Sequence, residues 1–149
     1  MKITICGSTE FVKEMFRIKK ILEEKGYEVL MPHSAQWFLD GKANLQDLKD
    51  KKEVPEFKKK YNLIRKHFEE VFKGDAILVL NYDRDKIKNY VGGNTFAEIS
   101  VAYYLNKPIY LINPIPGNLP YTDELEAMEP VVLNGNLDLI KNKQLPSAT

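Results

Sequence analysis

The sequence predicts an α/β protein with a doubly wound parallel sheet, and three features of the chain lead to this expectation. Four short aliphatic runs lack the alternation of half-exposed strands, as is typical of strands buried on both faces. Segments with apolar residues at helical spacing separate these runs. A chain of 149 residues that is 44% hydrophobic is long enough for one continuous core. We therefore expect residues 1–149 to form a single domain.

The first third of the chain has the pattern of a strand, a helix and a second strand. Residues 3–6 and 27–31 are the predicted strands, and apolar residues recur at helical spacing from Phe11 to Leu22 between them. Gly26 is the favoured residue just past a helix end. Residues 41–56 are charged and poor in large apolar groups, so we expect a surface excursion there, with the character of a flap.

A long helix and three further strands are predicted in the rest of the chain. Pro55 is a favoured first helical residue, apolar residues repeat at helical spacing up to Val71, and Gly74 ends the stretch. The later predicted elements are a strand at 76–80, a helix at 93–106, a strand at 109–112, a loop with a short helix at 113–130, a strand at 131–133, and a helical turn from Asn136 that frays into the last residues.

This alternation predicts a sheet of five parallel strands joined by right-handed crossovers. We expect the flavodoxin-like (Rossmann-like) strand order 2-1-3-4-5, with helices on both faces. Ligands of such sheets bind beyond the carboxyl ends of the strands, where the strand order reverses. The predicted ligand site therefore brings together residues 7–9, 32–34, 81–83 and 90–98.

The composition argues against several classes of function. Lysine and arginine (22) nearly balance aspartate and glutamate (21), so no global field attracts polymeric nucleic acid or an anionic membrane. The sequence has no stretch typical of a signal peptide or a membrane span, which predicts a cytoplasmic protein. Cys6, His33 and His67 do not have the sequence spacing of metal ligands, so we expect no metal and no cofactor. We expect Cys6 to act as a small hydrophobic residue.

One carboxylate, Glu98, stands near the start of the helix predicted from residue 93. Thr95 and Glu98 match a capping box, in which the glutamate binds the backbone amide of the threonine. Alternatively, Asn94 or Gly93 caps the helix and places Glu98 deeper, on the face toward the sheet. A carboxylate there must be held ionised by amide groups and the helix dipole, which suits a nucleophile or a stabiliser of positive charge.

Two glycines directly before this helix indicate a second feature of the site. Gly92 and Gly93 allow a tight turn and leave backbone amides free for an anion or a sugar hydroxyl, although a plain helix start has the same pattern.

Four segments of the chain resemble the nucleoside 2-deoxyribosyltransferase-like superfamily, which includes the deoxynucleoside 5′-monophosphate N-hydrolases. They are "ITICGS", "VLMPH", "GDAILVLNYD" and, most specifically, "GGNTFAEISVAYYLNKPIYLI". The resemblance implies an enzyme that cleaves the N-glycosidic bond of a (deoxy)nucleoside or nucleoside monophosphate, by hydrolysis or by base transfer. It further implies a small-molecule substrate and a homodimer, with Tyr103 and Tyr104 as candidate interface residues.

The same resemblance assigns roles to individual residues. Glu98 is the implied nucleophile that attacks the anomeric carbon, and Asp83, or Asp85 in its place, assists the leaving base. Tyr82 is expected to stack on the base or to orient Glu98. The residues expected to bind substrate are Gly7, Ser8, Thr9, His33, Asn81, Gly92, Gly93, Asn94 and Thr95.

Several alternatives remain open at the level of the sequence. Glu10 is a poor neighbour for a phosphate, so both a nucleoside and a nucleoside 5′-monophosphate remain open as the substrate. Hydrolysis is favoured over transfer because the loops are short for holding an incoming base. The rival functions are a phosphoribohydrolase similar to the cytokinin-activating family, whose motif has an extra glycine that this chain lacks, and a non-catalytic nucleotide-binding or interaction module.

Overall fold

The computed structural model describes residues 1–141, and its centre is a five-stranded parallel sheet in the order β2-β1-β3-β4-β5. This is the predicted strand order. The strands are β1 (Lys2–Cys6), β2 (Glu28–Leu30), β3 (Ala76–Val79), β4 (Ile109–Leu111) and β5 (Val131–Val132).

Helices cover both faces of the sheet, as a doubly wound fold requires. The α-helices are α1 (Val12–Glu24), α2 (Ala35–Leu39), α3 (Leu45–Asp50), α4 (Val54–Lys60), α5 (Leu63–Lys73), α6 (Gly93–Tyr104) and α7 (Thr122–Ala127). Short 3-10 turns lie at Thr9–Phe11 and Leu137–Leu139, the second at the predicted final helical turn. The tail after residue 141, predicted to fray, lies outside the described residues.

Two apolar clusters, one on each face of the sheet, form the core. Ile5 and Leu78 point to the face covered by α1, whereas Cys6, Ile77 and Val79 point to the face covered by α5, α6 and α7. Because neighbouring residues of β1 and β3 face opposite sides and both sides are covered, most positions are apolar, and the buried Thr4 satisfies its hydroxyl by donating to the carbonyl of Glu70 at 2.7 Å. This explains the aliphatic runs without alternation that predict the sheet.

The helix predicted to run from Pro55 to Gly74 is divided into α4 and α5. Asn62 has a φ of +53°, in the left-handed region, and the helical hydrogen bonding is interrupted there. Asparagine tolerates this conformation better than most residues, since its short side chain can bond locally. The continuous apolar spacing is therefore correct, but the continuous helix is wrong.

The surface excursion at residues 41–56 contains α3 and the start of α4. Asn44 caps α3, its Oδ1 accepting a hydrogen bond from the Asp47 amide at 3.0 Å. Trp37 on α2 contacts Phe57 and Tyr61 edge-on, which ties α4 to α2. Of the helices within residues 1–141, none has both the length and the apolar character needed to cross a bilayer.

The C-terminal end of α5 is capped by a lysine that lies in the loop between α6 and β4. Lys107, directly before β4, donates Nζ hydrogen bonds to the carbonyl oxygens of Val71 at 2.9 Å and Gly74 at 2.6 Å, and a third to that of Phe72. The last carbonyls of a helix have no partner within the helix, so a cation there satisfies them and interacts well with the helix dipole. Lys107 thus fixes α5 beside α6.

We expect Lys107→Met to lower the free energy of unfolding by about 1–3 kcal/mol, because it leaves several half-buried carbonyls without a charged donor. The matched control is Lys73→Met on the same helix end, where an exposed lysine is 3.9 Å from Glu70 and a change near zero is expected. Urea unfolding followed by circular dichroism measures both variants. Equal stability of the two would contradict the capping role.

Candidate active site

A cavity of about 220 Å³ lies at the carboxyl edge of the sheet, where the topology predicts a ligand site. Three of the four predicted segments line it: residues 7–9 after β1, residues 32–34 after β2, and the start of α6. Residues 81–83 do not contribute to its lining. Side chains from α2 to α5 complete the wall, among them Phe38, Leu48 and Phe57.

Helix α6 begins at Gly93, with Gly92 as its N-cap and no side-chain cap. The capping box between Thr95 and Glu98 is therefore absent. Glu98 is the sixth residue of the helix, in its second turn, so the helix dipole contributes less to its charge than the sequence suggests. Gly92 is tightly packed, and a Cβ atom there would lie 3.0 Å from the hydroxyl oxygen of Tyr90, so a larger residue would require the tyrosine ring to shift.

Glu98 is buried and its two carboxylate oxygens face different partners. The side chain is 3% exposed, Oε1 accepts a hydrogen bond from Asn94 Nδ2 at 2.9 Å, and Oε2 lies 3.2 Å from Nε2 of His67. Asn94 lines the cavity as predicted, but its amide is engaged by Glu98. Because a buried carboxylate without partners is very unfavourable, these two contacts are what allow Glu98 to stay in the cavity wall.

His67 is the site residue that the sequence interpretation missed. It lies on the inner face of α5, one turn before the fully buried Val71, and lines the cavity. Its Nε2 is close to Oε2 of Glu98, but the alignment is too poor for a hydrogen bond, and neither ring nitrogen has such a partner within residues 1–141. The spacing of Leu63, His67 and Val71 at i, i+4 and i+8, on one helix face, is the signal that could have identified it.

Cys6 lies below this pair at the end of β1. Burial raises the pKa of its thiol well above the ordinary value, and the negative charge of Glu98 and a hydrogen bond to it raise it further. The thiol is therefore neutral at physiological pH and a poor nucleophile. Ligand atoms of Cys6, His67 and Glu98 lie within 4.8 Å of one another, a spacing found for this one cluster within residues 1–141, but a neutral thiol is a poor metal ligand and we do not assign a metal site here.

The remaining predicted substrate-binding residues fall into two groups. Gly7, Ser8, Thr9, His33, Gly92, Gly93 and Thr95 all line the cavity. Asn81 does not: it is fully buried, and its amide donates to the carbonyls of Asn113 at 2.9 Å and Pro114 at 3.0 Å. It holds the loop after β4, which is a structural role.

Tyr82 and Asp83, predicted to be catalytic, lie outside the cavity lining. Tyr82 packs edge-on against Phe11, and its pKa is raised by burial and by the nearby charge of Glu14 on α1. Asp83 is exposed, and its Oδ1 accepts a hydrogen bond from the Asn89 amide at 2.9 Å. Asp85, the substitute, is also exposed. The chain turns after Tyr82, so that the next residue in the lining is Arg84.

Three cations give the cavity a positive rim despite the balanced net charge of the chain. They are Lys49, Lys58 and Arg84. Arg84 lies over the ring of Tyr90 at 5.0 Å, and its Nη2 is 3.0 Å from Oε1 of Glu10. Lys49 is 3.6 Å from the same oxygen. Glu10 is not part of the lining, but its carboxylate pairs with Arg84 and Lys49, which leaves Lys58 as the rim cation without an acidic partner among the ion pairs within residues 1–141.

Comparison with known proteins identifies a solved structure with the same fold. Neither a protein-family model nor a curated protein matches the sequence. Among solved structures, the chain is similar to a 2-deoxyribosyltransferase from the psychrotolerant bacterium Bacillus psychrosaccharolyticus, with a TM-score of 0.55 and 17% identity over 89% of this chain and 98% of that chain. At this identity the likeness shows a common fold, which is the fold that the resemblance in the sequence implies.

Proposed function

We propose that this protein is an enzyme that cleaves the N-glycosidic bond of a nucleoside or nucleoside monophosphate, with Glu98 as the nucleophile. The observation that supports the proposal most directly is a buried carboxylate in the wall of a cavity at the carboxyl edge of the sheet, hydrogen-bonded to Asn94 through Oε1 and 3.2 Å from the imidazole of His67 through Oε2. The fold shared with a 2-deoxyribosyltransferase supports the same reaction class.

The proposed chemistry follows that of retaining glycosidases. As the C1′–N bond lengthens, the sugar ring gains oxocarbenium character, which an ionised carboxylate beneath C1′ stabilises. Glu98 then bonds to C1′ and forms a glycosyl-enzyme intermediate. Asn94 keeps Oε1 in one orientation, which lowers the entropic cost of reaching the reactive geometry.

We propose water, and not a second base, as the group that resolves this intermediate. The cavity has a volume of about 220 Å³, and His33, Lys49, Gly93 and Asn94 in its lining are exposed to solvent. Water therefore reaches the site readily once the first base has left, while short loops give little additional surface to hold an acceptor base.

We expect Glu98→Gln to reduce release of free base by about 1,000-fold or more, because glutamine neither attacks C1′ nor balances its charge. Chromatography of free base measures this on a panel of nucleosides and their monophosphates, with and without an acceptor base. Glu24→Gln, an exposed glutamate at the end of α1, is the matched control and should leave turnover unchanged.

Three outcomes of this experiment would contradict parts of the proposal. Unchanged turnover in Glu98→Gln would exclude Glu98 as the nucleophile. Base release that requires an acceptor would indicate a transferase. Ligand binding by calorimetry without any turnover of the wild-type protein would indicate a binding module.

The positive rim favours a nucleoside 5′-monophosphate as the substrate. Lys49, Lys58 and Arg84 line the cavity together with Ser8 and Thr9, whose hydroxyl groups can donate to phosphate oxygens. Arg84 is held in place by Tyr90 and Glu10, so little side-chain entropy is lost when it binds an anion.

We expect Arg84→Gln to lower kcat/KM for the monophosphate by about 10- to 100-fold, with a much smaller effect on the nucleoside, because only the phosphate needs the cation. Arg17→Gln is the matched control, since Arg17 forms a similar pair with Glu14 at 2.7 Å on the outer surface of α1. An equal loss for both substrates would show that Arg84 does not recognise the phosphate.

We also propose that the protein forms a homodimer through the C-terminal ends of α5 and α6. Phe72 is 67% exposed, Tyr103 is 52% exposed and Tyr104 is 84% exposed, and the two helices that carry them pack side by side. Aromatic side chains are enriched in protein interfaces, and this group of three is a surface that a second copy could cover.

We expect Tyr104→Lys to shift the protein from dimer to monomer, because it places a charge in the centre of the proposed contact. Size-exclusion chromatography with light scattering measures the molar mass. The control is Leu139→Lys, which changes an apolar residue of 45% exposure in the C-terminal turn. A wild-type protein that is already monomeric at high concentration would contradict the proposal.

A further inference from the structure

We propose that His67 is the catalytic acid that protonates the departing base, an assignment that rests on the cleavage reaction proposed above. N-glycosidic cleavage leaves a negative charge on the base unless a proton is delivered as the bond breaks. Asp83, which the resemblance implied for this role, is exposed and outside the cavity lining. His67 lines the cavity beside the nucleophile.

The geometry of the imidazole ring suits two simultaneous tasks. Nε2 lies 3.2 Å from Oε2 of Glu98 and is the ring nitrogen closer to the carboxylate. Nδ1 has no hydrogen-bond partner within residues 1–141, although the side chain is buried.

Charge balance links proton transfer to nucleophilic attack. The proposed acid is His67 in its imidazolium form, and beside the carboxylate of Glu98, 3.2 Å away, it makes a buried pair with no net charge. When an oxygen of Glu98 bonds to C1′, the carboxylate becomes an ester and the buried imidazolium loses its counterion. An unpaired buried cation is unfavourable, so the proton of His67 moves to the base at the time when the base needs it.

The complete cycle conserves atoms and charge. In the first half, the C1′–N bond breaks with its electron pair on the base, the Glu98–C1′ bond forms, and His67 gives its proton to the base. In the second half, water bonds to C1′, the ester bond breaks with its electron pair returning to Glu98, and neutral His67 takes the proton from water. The products are the free base and the free sugar or sugar phosphate.

Neighbouring groups are less suited to this role. The Cys6 thiol, close to the same carboxylate, has a pKa raised well above its ordinary value and is too weak an acid near neutral pH. His33 lines the same cavity but is exposed and contacts Trp37 edge-on at 5.7 Å. It has no contact with Glu98 among the ion pairs and hydrogen bonds of the described chain.

The test compares two substrates of His67→Gln. One is the best natural nucleoside or nucleotide, and the other is the p-nitrophenyl glycoside of the same sugar, whose leaving group departs without a proton. Glutamine keeps an N–H group to face Glu98 but cannot transfer a proton. We expect about a 100-fold or greater loss on the natural substrate and a loss under about fivefold on the p-nitrophenyl glycoside.

Controls separate this inference from the proposed function. Glu98→Gln should abolish cleavage of both substrates, and if it does not, the nucleophile assignment fails independently of His67. His33→Gln, the matched histidine variant, should affect both substrates to the same extent. A similar loss of activity on both substrates in His67→Gln would show that His67 only positions other groups. No loss on either substrate would show that His67 takes no part in the reaction. Both results would overturn the proposal.

A second variant separates the loss of an acid from the loss of the fold. In His67→Ala, added imidazole should restore part of the cleavage of the natural substrate and have little effect on the p-nitrophenyl glycoside. Thermal unfolding shows whether the variants fold. If His67→Ala is folded and imidazole restores both substrates equally, or neither, then His67 does not act as an acid.

Discussion

The architecture of the site depends on how one buried carboxylate, Glu98, is accommodated in the cavity wall. The side chain is 3% exposed, and a carboxylate buried to this extent needs polar groups beside it. One partner, Asn94, comes from the same helix, and the other, His67, comes from α5. The site therefore exists only while α5 and α6 keep their relative position. Lys107, which caps α5 from the chain segment directly after α6, links the stability of the fold to the geometry of the site.

The parts of the structure that follow from periodicity could be predicted from the sequence. Aliphatic runs buried on both faces specify a parallel sheet, and the alternation with helices specifies the strand order that is found. The break of the long helix at Asn62 could not be foreseen, because the apolar spacing continues across it and only the backbone of one residue changes. Helical periodicity indicates which residues face inward, but does not report a single left-handed residue.

The candidate site was predictable where one short segment encodes it and unpredictable where it forms from distant segments. The glycines before α6 and the carboxylate within it are adjacent in sequence, so their placement in the cavity followed from the topology rule. His67 is 31 positions before Glu98 and lies in a helix whose lysines suggest a solvated surface. Asp83 was preferred for its chemistry and its position near a strand end, but the turn after Tyr82 directs it to solvent.

Cys6 shows why the floor of this cavity needs a small neutral group. It ends β1 and packs in the same apolar cluster as Ile99 and Ala102 of α6, close to the carboxylate of Glu98. An acidic residue at this position would place two negative charges within a few ångströms in a dry environment, and one of them would take up a proton. The raised pKa of the thiol prevents this competition, because the thiol stays neutral beside the carboxylate. In the proposed reaction the negative charge is thereby confined to the oxygen pair of Glu98 that faces His67 and Asn94.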